Sequence, residues 1–167
     1  HTERYEQIIH NLHKTATGTK PIGSSYFKGG GLNINNLMSA VDGRDVEKQK
    51  MIIKMLVEGD YDEFVFLETH MQETKHFKQL QQFLHEKVVK QIEKQKGHKN
   101  WEEYPIDGQD MYQVFGSYYQ SIRTLRRSGA AIIVKNKYKV KGWGGFTTRG
   151  ELTTKSDVQG RFAAILY

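Results

Sequence analysis

The chain has 167 residues, with 25 Lys and Arg against 19 Asp and Glu, a net charge of +6, and no cysteine. The absence of cysteine excludes disulfide scaffolds, thiolate nucleophiles and zinc or iron–sulfur sites that need Cys ligands. No apolar run approaches the roughly 18 residues that cross a bilayer, so we expect no membrane span. A chain of this length can bury an ordinary hydrophobic core, and we expect a single domain over residues 1–167.

Helical periodicity dominates the first three quarters of the chain. Apolar residues recur every three or four positions in stretches separated by segments rich in Gly, Ser and Asn, which predicts amphipathic helices. The predicted helices cover residues 3–14, 37–58, 74–96 and 107–127, whereas 15–36 is predicted to be irregular and 63–67 is either a strand or the start of the next helix. We therefore expect a helical part over about residues 1–128.

Beyond Gly129 the hydrophobic period changes to two. Alternating apolar and polar residues predict four short strands, at 130–135, 138–143, 146–155 and 161–167. The predicted fold class is α+β, with several N-terminal helices followed by a C-terminal antiparallel sheet of about four strands, over about residues 129–167.

Positive charge is concentrated in the predicted sheet. Residues 120–167 carry a net charge of +8, whereas residues 42–73 carry −5. So basic a segment favours a polyanionic partner, which is nucleic acid, an acidic protein or an anionic membrane surface. Alternatively, the acidic segment docks on the basic one and neutralises it.

One segment combines cations with an aromatic ring. Lys137, Lys139, Lys141 and Trp143 occupy alternate positions, so a strand would place all four on one face. Regularly spaced cations suit phosphates, and an indole gives a base a surface to stack on. These four residues are therefore predicted to bind RNA. The alternative is a solvated sheet face with a partly packed tryptophan.

An internal near-repeat follows, in which residues 146–151 and 152–157 share the pattern apolar, Thr, Thr, cation, small, acid. Hydroxyl and cationic donors can stabilise the charge that develops on a phosphate during cleavage. The pattern also fits a hairpin of two polar strands. The predicted catalytic residues of this repeat are Thr147, Arg149, Thr154 and Lys155.

A ribonuclease that uses no metal needs a general base, and histidine is the usual one. We predict His13 as the base, because it opens the Gly-rich segment where a substrate could approach, with a tyrosine as the alternative. Glu68, His70 and His76 offer a carboxylate and two imidazoles, but their spacing does not place them on one helix face. No metal or other cofactor is therefore expected.

The layout resembles the C-terminal ribonuclease toxin domains of bacterial exported proteins of the contact-dependent growth inhibition type, which are barnase-like or EndoU-like. Those domains are similar to this chain in being small, poor in cysteine, often basic, and built from leading helices and a C-terminal sheet. No catalytic motif matches residue by residue. The resemblance implies a chain that ends a longer polypeptide, is delivered into a target cell, acts in the cytoplasm, and is bound by an acidic immunity protein in the producing cell.

The function predicted from the sequence is therefore that of a monomeric, metal-independent toxin ribonuclease that cleaves tRNA or rRNA bound on the basic sheet. Two alternatives remain. The chain could be a nucleic-acid-binding module without catalysis, or a basic protein–protein interaction domain with an acidic partner.

Overall fold

The computed structural model describes residues 27–97, 111–117 and 129–146, together with residues 3, 6–8, 152–153 and 164–166; from residue 143 onward it describes the backbone only. Strands are interleaved with the helices up to residue 117, and the described elements after that are all strands. In chain order the elements are β1 (Gly29–Asn33), α1 (Leu37–Val41), α2 (Val46–Gly59), β2 (Glu63–Leu67), α3 (Lys75–Phe83), a π-helical segment (Leu84–Val89), α4 (Lys90–Gln95), β3 (Tyr112–Ser117), β4 (Ala130–Lys135), β5 (Gly142–Phe146), β6 (Leu152–Thr153) and β7 (Ala164–Leu166).

The main sheet has four strands in the order β1-β2-β4-β3. Strand β1 pairs with β2 in parallel, and β4 lies antiparallel to both β2 and β3. Strands β1, β2 and β3 therefore run in the same direction. Their last residues, Asn33, Leu67 and Ser117, lie at one edge together with the first residue of β4, Ala130. We call this edge the carboxyl edge and the opposite one the amino edge.

A second, smaller sheet contains the strands nearest the C-terminus. Its three strands are antiparallel and follow the order β6-β5-β7. Trp143 pairs with Ile165 in this sheet, and Phe146 pairs with Leu152.

The helices and the main sheet bury one core between them. Strand β4 is buried over its whole length, and α2 contributes its apolar side. Fully buried members of this core include Leu37, Ile52, Met55, Leu56, Phe64, Phe66, Leu80, Val88 and Ile133. Helices α1 and α2 are each capped at the N-terminus by a side chain: Asn36 Oδ1 accepts from Ser39 N at 3.1 Å, and Asp45 Oδ1 accepts from Lys48 N at 3.0 Å.

The predicted α+β class is confirmed, whereas the predicted layout of helices followed by one sheet is only partly matched, because strands are interleaved with the helices. Strand β1 lies within the segment predicted to be irregular, because a glycine-rich strand can pair through its backbone alone. Strand β3 replaces part of the predicted helix 107–127. Its apolar residues fit a helical period, but pairing with β4 outweighs that preference.

Some of the other predicted elements are confirmed, and others have different bounds in the structure. The long helix is confirmed over residues 75–95, although a π-helical segment interrupts it, and the predicted helix 37–58 divides in two before Asp45. Strand 130–135 is confirmed but belongs to the main sheet, and β5 begins at Gly142 instead of residue 138. Residues 3 and 6–8 are helical as predicted, while the rest of the first predicted helix lies outside the described residues. Within the described part of the chain, no helix is both long and apolar enough to cross a bilayer.

Candidate functional site

The loops that follow β1 and β2 are joined side by side at the carboxyl edge. Ile34 N donates to Leu67 O at 3.1 Å, Asn36 N donates to Glu68 O at 2.7 Å, and Met38 N donates to Thr69 O at 3.3 Å. These bonds continue the parallel pairing beyond the last paired residues of the strands. They hold Glu68 beside the residues that follow β1.

The chain that enters β4 fixes the same loop from the other side. Thr69 is fully buried, and its backbone N–H donates to Gly129 O at 3.1 Å. Gly129 has a φ of +111°, and a Cβ placed there would lie 2.3 Å from Thr69 Oγ1. Only glycine therefore allows β4 to begin so close to the loop that carries Glu68.

Left-handed backbone conformations are concentrated in these two loops. Among the described residues, five that are not glycine have positive φ, and four of them lie here: Asn35, Asn36, Glu68 and His70. Such conformations cost free energy for residues with a Cβ and persist where the surrounding structure holds them. They occur often at binding and catalytic sites, which makes the carboxyl edge a candidate for a functional site.

The polar side chains at this edge offer oxygen atoms that could bind a metal ion. Asn33 and Asn35 are exposed, Glu68 is half-buried, and Asn33 Oδ1 accepts from Asn35 N at 3.2 Å, which leaves it a second lone pair. One carboxylate with neighbouring amide oxygens suits Mg²⁺, which usually keeps several waters and takes its remaining ligands from a substrate phosphate. No group of three His, Cys, Asp or Glu side chains that could hold a metal occurs in the described ranges.

Two further groups support the loops. Lys48 Nζ donates to Asn35 O at 2.6 Å, which fastens the loop after β1 to helix α2. His76 Nδ1 accepts from the backbone N–H groups of Gln72, at 3.0 Å, and Glu73, at 3.3 Å, so that nitrogen must be unprotonated. Burial lowers the pKa of His76 from its ordinary value, and the nearby Glu73 carboxylate opposes this shift only in part.

A second group of charges, the lysine–aspartate cluster, lies at the amino edge. Its members are Lys28, Asp60, Asp62, Lys96, Lys135 and Lys137. Lys135 Nζ lies 2.5 Å from Asp60 Oδ1, and Lys96 Nζ lies 3.4 Å from Asp60 Oδ2. Lys137 Nζ lies 3.5 Å from Asp62 Oδ1. The acidic segment 42–73 therefore neutralises part of the basic segment, as the alternative interpretation of the charge pattern predicts.

Burial and pairing act against each other in this cluster. Burial raises the pKa of the Asp60 carboxyl, but the hydrogen bond and charge of Lys135, together with Lys96, outweigh it and lower the pKa below its ordinary value. Burial lowers the pKa of Lys28, whose Nζ donates to Gly59 O at 2.6 Å. Burial raises the pKa of Tyr61 to about 12.

The predicted RNA-binding lysines lie on the segment that leaves β4 at the amino edge. Lys137, Lys139 and Lys141 are exposed and the residues between them are half-buried, so the predicted alternation is present although the strand starts only at Gly142. Trp143 belongs to β5, and its side chain lies outside the described part. The five residues of β2 separate this segment from Glu68 by about 16 Å or more, at roughly 3.3 Å per residue.

The predicted catalytic residues His13, Thr147, Arg149, Thr154 and Lys155 lie outside the described residues, so their roles stay predictions. Sequence reasoning named Glu68 and His70 but discounted them, because it looked for ligands on one helix face. It missed Asn33 and Asn35 altogether. For Glu68 the available signal was a polar residue directly after the short apolar segment 63–67, whereas the glycine-rich β1 offered no comparable signal for Asn33 and Asn35.

Comparison of the chain with protein-family models, with curated proteins and with solved structures found no match.

Proposed function

We propose that the chain hydrolyses phosphodiester bonds of a nucleic acid, with the reaction centre at the carboxyl edge. The observation that carries this proposal is the placement of Asn33 at the end of β1, and of Asn35 and Glu68 on the loops that follow β1 and β2, two adjacent parallel strands whose loops are joined by backbone hydrogen bonds. In open sheets, ligands bind beyond the carboxyl ends of parallel strands. Left-handed backbone at Asn35 and Glu68 adds support.

Glu68, Asn33 and Asn35 are the residues that would hold a divalent cation such as Mg²⁺. When bound there, the cation would offset the charge of the phosphate and lower the pKa of a coordinated water. Glu68 supplies the negative charge that such a cation requires. The joined loops hold the backbones of these residues side by side, so little backbone ordering is left for the moment of binding.

The choice of a nucleic acid as substrate rests on charge. The chain carries +6 overall, and Lys139 and Lys141 are exposed at the far end of the same sheet. RNA is the substrate predicted from the sequence, and tRNA and rRNA remain the first to be tried. A toxin role with an acidic immunity protein, and action inside a target cell, also stay predictions.

The experiment is a cleavage assay on labelled single-stranded RNA and duplex DNA of the same sequence, with Mg²⁺ and with EDTA in its place. We expect cleavage with Mg²⁺ only, and a loss on the order of 100-fold or more in Glu68→Gln, because metal assistance is worth several kcal/mol. Glu63→Gln, at the other end of β2, is the matched control and should cleave normally. Full activity in EDTA would refute the metal-dependent reaction and favour the metal-independent ribonuclease predicted from the sequence. Intact nucleic acid under all conditions, with binding retained, would favour a non-catalytic binding module.

A further inference from the structure

A basic groove runs between helix α2 and the helix formed by the π-helical segment and α4. It consists of two adjoining depressions of about 630 and 240 Å³ that share Ile53, Gln91 and Gln95. The charged residues that line the two depressions are Lys50, Lys54, Lys87, Lys90, Lys94, Glu58 and Glu86. Five cations therefore face two anions along a groove whose remaining lining includes two glutamines.

Four of these cations have no anionic partner within the described part of the chain. Lys50, Lys54 and Lys87 are exposed, Lys90 is half-buried, and none of them forms an ion pair with a described carboxylate. One groove anion is engaged elsewhere, since Glu86 Oε1 accepts from Gln82 Nε2 at 3.0 Å. The groove therefore presents a surplus of positive charge to solvent.

The spacing of the lysines fits a chain of phosphates. Positions 87, 90 and 94 lie along one side of their helix over about 10 Å, at about 1.5 Å per residue. One strand of a nucleic acid presents a phosphate every 3.4 Å or so of helix axis, hence about three over this distance. Lys50 and Lys54, one turn apart on α2, face them across the groove. Like charges at such spacings destabilise a helix slightly, and an external polyanion would remove that cost.

The groove also adjoins other cations. Gln95 lines its end, and the next residue, Lys96, lies 3.4 Å from Asp60, which in turn pairs with Lys135. The chain then leaves β4 through Lys137, Lys139 and Lys141. The helical groove is therefore connected, through the lysine–aspartate cluster, to the segment predicted to bind RNA.

We propose that this groove, lined by Lys50, Lys54, Lys87, Lys90 and Lys94, is a second contact surface for the phosphate backbone of the nucleic-acid substrate, formed by residues other than those of the proposed reaction centre. The inference rests on the proposed function for the identity of its ligand. It adds that substrates long enough to reach the groove bind more tightly than short ones, through contacts that do not read sequence.

The test measures binding of a labelled oligonucleotide by fluorescence anisotropy as a function of salt, with phosphorothioate linkages that keep the backbone charge and resist cleavage. Two variants are compared with the parent chain, one with all five lysines changed to Gln and one with all five changed to Arg. For five phosphate contacts, the Gln variant should lower the slope of log affinity against log salt by about 3.5 on single strands and about 4.5 on duplex. The Arg variant keeps the charge and should keep the slope. Circular dichroism verifies that both variants fold.

Each outcome of this test is decisive. An unchanged slope in the Gln variant overturns the inference, and so does displacement of the oligonucleotide by an equal concentration of polyglutamate, which would assign the groove to an acidic protein. A lowered slope supports it even if Glu68→Gln cleaves as fast as wild type, a result that would refute the proposed reaction centre and leave the groove in place. A short phosphodiester that cannot reach the groove should be cleaved equally well with Gln or Lys at the five positions.

Discussion

Gly129→Ala should reduce both the stability of the chain and the activity of the proposed reaction centre. A residue with a Cβ at a φ of +111° costs about 1–3 kcal/mol in backbone strain. The new Cβ would also lie 2.3 Å from Thr69 Oγ1, so the buried threonine must move. Movement breaks the bond that its hydroxyl accepts from Met71 N at 3.3 Å, at a further cost of about 1–3 kcal/mol. We expect the free energy of unfolding to fall by about 2–6 kcal/mol.

The assay is urea denaturation of the variant beside Gly97→Ala, with cleavage measured in parallel. Gly97 also has positive φ, at +77°, but a Cβ there would meet no atom within 4 Å, so its substitution contains the strain without the close approach. Gly97→Ala should cost about 1 kcal/mol and leave cleavage unchanged, because its neighbour Lys96 pairs with Asp60 at the amino edge, the end of β2 opposite to Glu68. Equal losses in the two variants would refute the packing of Gly129 against Thr69 as the reason for glycine at this position.

Three further predictions concern the charged groups. Asp60→Asn should destabilise the chain by about 3 kcal/mol, because it leaves Lys135 as an unpaired ammonium at 4% exposure. Lys135→Met should cost clearly less, because Asp60 is 34% exposed to water and keeps its ion pair with Lys96. Equal or reversed losses in urea denaturation would contradict this. His76 has a lowered pKa in the folded chain, so it contributes stability that is present above its unfolded value of about 6.5 and is lost as the pH falls towards the folded value. The denaturation midpoint should therefore decrease as the pH is lowered from 7 to 5, and decrease less in His76→Gln. Identical pH profiles would contradict the hydrogen bonds that His76 Nδ1 accepts from Gln72 and Glu73. The pKa of Asp60 is lowered in the folded chain, so the stability that Asp60 contributes is lost below pH 3.8, as the pH falls through the folded pKa. This second loss of stability should be absent in Asp60→Asn.

The hydrophobic periodicity of the sequence predicted the elements that pack mainly through apolar side chains. Helix 75–95 and strand β4 carry long apolar patterns, and both form where the sequence places them. Strand β1 has the sequence Gly-Gly-Gly-Leu-Asn, which offers almost no side-chain pattern, and its place depends on backbone pairing with β2. That pairing is a long-range event, so local sequence does not reveal it.

The candidate site depends on the same long-range pairing. Glu68 is conspicuous in the sequence only as a carboxylate near two histidines, and Asn33 and Asn35 resemble ordinary loop residues. They come together because β1 and β2 are parallel and adjacent. The sequence left 63–67 open as a strand or the start of a helix and predicted 15–36 to be irregular, so it did not predict this pairing. Charge was easier to use, since the predicted alternation of exposed lysines at 137, 139 and 141 is present.

The most direct test of the reaction centre compares Glu68→Gln with Arg149→Ala on one gel of RNA and DNA substrates in Mg²⁺. If cleavage occurs beyond the carboxyl ends of β1 and β2, Glu68→Gln loses on the order of 100-fold or more in rate, as expected for several kcal/mol of metal assistance. Arg149→Ala then loses far less. The opposite order, with Arg149→Ala inactive and Glu68→Gln unaffected, would move the reaction centre to the basic C-terminal segment.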